Sequence, residues 1–277
     1  MNREDFSNAA LIVLGHGTAQ NTGSAEPVFQ HAAELRRRGI FREVREAFWK
    51  QSPQVKEVLK SLTSPRVFIV PLFISEGYFS GEVIPRELGF SNDRRLKIES
   101  GTRCYCAPIG THDRLTDIIR ARARGIVENF PFPRAPKPQD TTLFIAGHGT
   151  GRNANSRQAI ERQVELIRAK RAYASVHAIF MEEEPRIAEC FALASTRHLV
   201  VVPYFISDGL HTQEDIPVLL GEPERLVKQR LAAGQPTWRN PTERHGKLVW
   251  YAAAVGTAPQ VAEVILERVR EQAQWRD

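Results

Sequence analysis

Cysteine is scarce in this chain, with three among 277 residues. So few cannot form a disulfide framework, and stability must come from a packed core. Cys104 and Cys106 are spaced C-x-C, not the C-x-x-C of zinc ribbons and thiol–disulfide enzymes, and Cys190 stands alone. All three read as packing residues. Long apolar runs are missing as well. No stretch approaches the ~18 residues that a membrane-spanning helix needs. The opening MNREDFSNAA carries charges of both signs and does not read as a secretory signal. These absences give a cytoplasmic expectation with no membrane partner. Also absent are aromatics interleaved with the arginine runs ELRRRG and RARARG, so those runs read as solvated helix faces and nucleic acid is not an expected partner.

What is present is an excess of positive charge. Lysine and arginine total 38 against 32 acids, a formal net charge of +6. A basic balance favours an anionic partner. Hydrophobic residues make up 42% and charged residues 25%, the mixture of an ordinary globular chain.

The chain is internally duplicated. His16 and His148, Pro53 and Pro185, Pro71 and Pro203, Gly77 and Gly209, and Pro85 and Pro217 are each separated by 132 positions. The stretches PLFISEGYFSGEVIP and PYFISDGLHTQEDIP share 8 of 15 residues. Further on, Gly110 matches Gly256 at an offset of 146, so the second copy holds about 14 extra residues between Glu222 and Trp250. The expected division is a first repeat over 1–130, a proline-rich linker over 131–140 and a second repeat over 141–277.

Each repeat reads as an α/β unit. Short continuous apolar runs (Leu11–Leu14 and Leu143–Ala146) precede a glycine turn. A segment of helical period follows, with Phe29, Ala32, Ala33 and Leu35 in one copy and Ile160, Val164 and Ile167 in the other. Then come VREAFW or SVHAIF, a helix near the proline, RVFIVPLF or HLVVVPYF, and RCYCAPI or LVWYAAAV before a last helix. Apolar strands alternating with helices predict a parallel four-stranded sheet covered on both faces in each repeat.

Ligand sites of open parallel sheets lie beyond the carboxyl ends of the strands. Both GHG turns fall there, and a glycine on each side of the histidine leaves room above it. In the second repeat three successive strand ends carry His148, Glu182 and His211. Two imidazoles and a carboxylate suit a borderline divalent cation or proton removal from nitrogen. Glu183 and Glu184 are adjacent alternatives to Glu182, which is nearest the strand end. In the first repeat only His16 survives: Glu182 aligns with Lys50, His211 with Phe79 and Asp215 with Val83. The fold therefore needs the turn twice, and the chemistry needs the second copy.

At GHGT (Gly147–Thr150), FME (Phe180–Glu182), VVVPYFISDGLHTQEDIP (Val200–Pro217) and VGTAP (Val255–Pro259) the sequence resembles the class II tetrapyrrole chelatases, in the sirohydrochlorin cobaltochelatase and ferrochelatase group. The resemblance spans nearly the whole chain. It implies two tandem chelatase-like units facing across a cleft. It also implies insertion of a divalent metal into sirohydrochlorin or a related anionic tetrapyrrole, in cobalamin or sirohaem synthesis. By that resemblance His148, His211 and Glu182 are the metal-binding and catalytic set, with Gly147, Gly149, Thr150 and Ser207 lining the ligand site. Co²⁺ or Fe²⁺, with Ni²⁺ as a further candidate, is then a substrate, and no organic cofactor is expected. The assembly is a monomer or homodimer. Arg152, Arg157 and the basic insertion from Glu222 to Lys247 could draw in a polycarboxylate, the insertion being either a lid or an ordinary surface loop. DGLHTQEDIP departs from the glycine-rich form usual in the family at Leu210.

Two other readings compete. Phosphoryl transfer through a nucleophilic histidine would place an arginine beside it, where this chain has Gly147 and Gly149. A non-catalytic carrier of tetrapyrrole or metal would use the same ligands without turnover.

Overall fold

A computed structural model describes residues 5–17, 25–149 and 154–274. Thr150 and Arg152 lie outside them. The first repeat is built on β1 (Ala9–Gly15), in which all seven residues are buried. That burial follows from its place between two parallel neighbours, β2 (Glu43–Phe48) and β3 (Arg66–Pro71). The helix α1 (Glu26–Arg37) joins β1 to β2, and α2 (Val55–Ser61) joins β2 to β3. A π-helical turn over Phe79–Val83 leads into the short α3 (Ile84–Glu87). Then β4 (Arg95–Ile98) and β5 (Gly101–Tyr105) form a hairpin, and α4 (Leu115–Asn129) follows.

The second repeat runs through the same series. It comprises β6 (Thr141–Gly147), α5 (Asn155–Ala169), β7 (Ser175–Phe180), α6 (Cys190–Leu193) and β8 (His198–Pro203). A π-helical turn over His211–Asp215, α7 (Ile216–Leu219), α8 (Glu224–Ala232), β9 (Thr242–Arg244), β10 (Lys247–Tyr251) and α9 (Val261–Gln274) complete it. Strand order is β2-β1-β3-β5-β4 in one sheet and β7-β6-β8-β10-β9 in the other. The four parallel strands expected in each repeat are present. A fifth, β4 or β9, pairs antiparallel at the edge. These short, polar strands (RLKI and TER) lack an apolar run, which is why the sequence pattern did not show them.

The helical period is read correctly in α5, where Ile160, Val164 and Ile167 are all buried. In α1 the buried face is Val28, His31, Ala32 and Leu35, while Phe29 is 41% exposed and Ala33 also faces solvent. The linker holds one short 3₁₀ turn at Pro138–Asp140. The three thiols are free and buried; burial pushes Cys190 up to about 12, far from a reactive thiolate.

Compact units and sequence repeats do not coincide. One unit comprises Met1–His112 with Pro259–Asp277, the other Asp113–Ala258. The closing helix of each repeat therefore belongs to the other repeat's sheet. In the first unit α9 lies against α1 and β3. Its Arg268 donates to Pro108 O at 3.1 Å and to Thr111 Oγ1 at 2.7 Å. In the second unit α4 lies against β8, β10 and α5, and Thr116 donates to the buried Gln163 side chain at 2.7 Å.

Candidate active site

The second repeat places His148 by a close approach of its own chain. A Cβ at Gly147 would sit 2.1 Å from Ile160 Cδ1 on α5. Gly149 has φ +69°, and a Cβ there would meet Phe180 at 3.0 Å and Glu183 at 3.2 Å. The two glycines thus allow a left-handed turn pressed against α5 and the end of β7. The room they leave is taken by Ile160, Phe180 and Glu183, not by space for a ligand. His148 O accepts from the amides of Met181 and Glu182, which ties the two strand ends together.

His211 arrives from the next strand end. The loop after β8 carries Ser207, half-buried and with no side-chain partner among the described residues, and enters the π-helical turn. That turn is closed by the Ile216 amide donating to His211 O, five residues back. It aligns His211 with Asp215. His211 Nδ1 lies 2.6 Å from Asp215 Oδ2. A carboxylate only accepts, so Nδ1 is the donor, and the neutral ring then has its lone pair on Nε2. His148 obeys the same logic, since its Nδ1 lies 2.7 Å from Gly149 O and must donate. The two rings meet edge to face with centroids 5.0 Å apart. Two half-exposed imidazoles, each committed through Nδ1, therefore stand side by side.

Glu182 is held beside this pair. Its Oε2 lies 3.7 Å from His148 Nδ1, and its side chain is 59% exposed. Among the described residues, no three histidine, cysteine, aspartate or glutamate side chains form a ready-made metal cage. The arrangement is an imidazole pair with an exposed carboxylate alongside. Glu183 is engaged elsewhere, bonded to Arg157 at 2.7 Å, and Glu184 pairs with Arg186. Arg157 also packs over Phe180 at 4.3 Å, so it is a bracing residue with no free charge to offer a ligand.

Several supports were not singled out from the sequence. Asp208 Oδ1 accepts from the Ala254 amide at 2.8 Å and Oδ2 from Thr257 Oγ1 at 3.2 Å. Arg122 on α4 donates to the same Thr257 hydroxyl at 2.8 Å. Tyr251 OH donates to Thr212 O at 2.7 Å inside the π-helical turn. Gly256 is required because a Cβ would sit 2.2 Å from Ile206 O. Together these contacts pin the loop that carries His211. The recurring VGT and IGT segments were a sequence signal for this brace; the aspartate contacts gave none, because they join residues about 46 apart.

The 14-residue insertion is not a lid. Trp238 within it is 5% exposed and belongs to the core cluster with Val249 and Tyr251. Glu222, its side chain 4% exposed, accepts from Arg230 at 3.0 Å and Arg244 at 2.7 Å. Lys228 pairs with Glu224 and reaches Glu214 in the π-helical turn at 3.7 Å. Lys247 donates to two backbone carbonyls. The buried Glu222, the carboxylates of Glu214 and Glu224 and two backbone carbonyls thus engage Arg230, Arg244, Lys228 and Lys247, and the segment buttresses the sheet edge and the His211 turn.

The first repeat keeps the scaffold and replaces the chemistry. His16 Nδ1 lies 2.9 Å from Gly17 O, as in the second copy. Tyr105 OH donates to Ser80 O at 2.9 Å, and a Cβ at Gly110 would sit 1.8 Å from Ile74 O. In place of the second imidazole stands Phe79, its ring centroid 5.4 Å from His16. In place of the carboxylate stands Lys50, its Nζ 4.9 Å from the Phe79 centroid.

Comparison with known proteins agrees with this construction. A family model described as CbiX matches residues 10–126 and again 142–272. A protein of Halobacterium salinarum named as a probable sirohydrochlorin cobaltochelatase is 40% identical over 278 residues, covering 95% of this chain and 91% of that protein. The chain belongs to the CbiX family. Another relative, the sirohydrochlorin cobaltochelatase of Methanopyrus kandleri, is 31% identical over 137 residues, covering 47% of this chain and 94% of its own length. Among solved structures, a multi-domain protein of Deinococcus radiodurans with similarity to chelatases superposes with a TM-score of 0.77 at 26% identity, covering 98% of this chain and 56% of that one. SirB of Bacillus subtilis with Fe³⁺ shares the fold, with a TM-score of 0.69 at 18% identity over 96% of both chains.

Proposed function

We propose that this chain inserts a divalent metal, Co²⁺ or Fe²⁺, into sirohydrochlorin or a closely related anionic tetrapyrrole. His148 and His211 of the second repeat carry the reaction. The observation behind this reading is the pair of edge-to-face imidazoles, each with Nδ1 committed to an acceptor and Nε2 left as a base. The names of the 40% and 31% identical relatives supply the reaction class.

Insertion exchanges one M²⁺ for two pyrrole protons. Neutral imidazoles bind a borderline cation loosely enough to release it to four macrocycle nitrogens, where thiolates would retain it. The vacated nitrogens are then placed to accept the leaving protons. Asp215 stabilises the imidazolium that forms on His211, and Glu182 beside His148 is the outlet towards solvent. Ser207 and the turn through Gly147 and Gly149 border the same strand ends and line the macrocycle's approach.

The test is the absorption spectrum of sirohydrochlorin mixed with Co²⁺ and the purified protein. The change should run faster than with metal alone. His148→Ala and His211→Ala should each lower the rate by roughly a hundredfold or more. Binding of the macrocycle with no acceleration would instead identify a carrier.

A further inference from the structure

The strand-end site of the first repeat is occupied by groups that repel a cation and attract a flat anion. Lys50 stands where Glu182 stands in the second repeat, and Phe79 where His211 stands. Burial holds the His16 imidazole below its ordinary value, against its bond to Gly17, and the Lys50 ammonium adds to the lowering. His16 therefore stays neutral, and the ammonium is the site's charge. Among the described residues no salt bridge engages Lys50, which is exposed. Phe79 is 37% exposed and Tyr78 56% exposed, with their rings 5.7 Å apart. Among the described residues most large apolar side chains are buried, whereas these two adjacent rings are exposed beside an ammonium that no salt bridge engages and whose Nζ lies 4.9 Å from the Phe79 centroid. The scaffold beneath keeps the contacts of the second copy, with His16 Nδ1 at 2.9 Å from Gly17 O and Tyr105 OH donating to Ser80 O at 2.9 Å, so the strand-end groups are exchanged on an unchanged frame.

We propose that the first-repeat site is a metal-free binding site for the tetrapyrrole itself, with a ring face on Phe79 and Tyr78 and a peripheral carboxylate on Lys50. This rests on the function proposed above for the second repeat. Charge complementarity selects the occupant: a polycarboxylate macrocycle offers both the flat face and the anion, and a metal cation is excluded by the ammonium.

The experiment titrates metal-free sirohydrochlorin into the full chain and reads its fluorescence. Lys50→Gln should weaken binding about tenfold, and Phe79→Leu about fivefold. The Lys50 effect should shrink at high salt. Co²⁺ affinity without macrocycle should stay the same in both variants, which also shows that they are folded. Lys60→Gln, which removes an exposed charge from α2, controls for net charge and should leave the affinity unchanged. Unaltered affinity in both site variants, or an equal loss in Lys60→Gln, overturns the inference. If that happens while the wild-type chain still inserts Co²⁺, the second-repeat function stands and only this site fails. A wild-type chain that binds no sirohydrochlorin removes both.

Discussion

Asp215 decides which nitrogen of His211 is available. Its carboxylate accepts the hydrogen bond from Nδ1 at 2.6 Å, and the π-helical turn brings the two side chains, four positions apart, together. Asp215→Asn should therefore lower metal insertion by roughly ten- to a hundredfold and move its pH profile, with partial recovery in Asp215→Glu. A purely structural role would lower thermal stability and leave the profile unmoved. His177 makes a different prediction, on stability. Its ring stacks on Phe144 and its Nε2 is buried without a partner. Burial, and then Arg168, holds its imidazole below the ordinary value of 6.5. The unfolded chain then binds a proton that the folded chain resists, so stability present above pH 6.5 is lost as pH falls towards the folded value. His177→Leu should flatten that loss, read as melting temperature against pH between about 5 and 8.

The π-helical turns are the elements on which the repeats differ in use and agree in form. Both begin 132 residues apart, and both are closed by a bond across five residues. If the scaffolds are equivalent, chemistry should be transferable. The triple substitution Lys50→Glu, Phe79→His, Val83→Asp should add a second Co²⁺ site, raising the stoichiometry measured by calorimetry; an unchanged stoichiometry would show that the backbones differ. This equivalence was legible in the sequence because the offset between copies is constant from His16 through Pro217 and the ligand types sit at strand ends. The central strands were legible because each is a continuous apolar run. Strands β4 and β9 were hidden, since an edge strand has one neighbour and need not be apolar. The insertion was misread for a related reason. Its basic residues look like a solvated surface in sequence, but Glu222 lies buried between Arg230 and Arg244, a pairing that no local pattern encodes.

At the scale of the molecule, the exchanged closing helices govern what the repeats can do apart. Val261, Val264, Ile265, Leu266 and Val269 of α9 are buried in the unit that holds the first sheet. Each such side chain contributes about 2 kcal/mol. The second unit depends likewise on Leu115, Ile118 and Ile119 of α4, and on Arg122 for the loop of His211. Proteolytic nicking of the exposed linker near Pro133 should therefore leave two fragments that co-elute in native gel filtration and separate in denaturant. Independent elution of the fragments would contradict the exchange. Without α4 the second sheet has an apolar side that only another copy of the chain could cover. Cover for both sheets thus depends on both halves, whichever of them turns over, while the exposed strand-end residues Lys50 and Phe79 of the first half stand outside that packing demand.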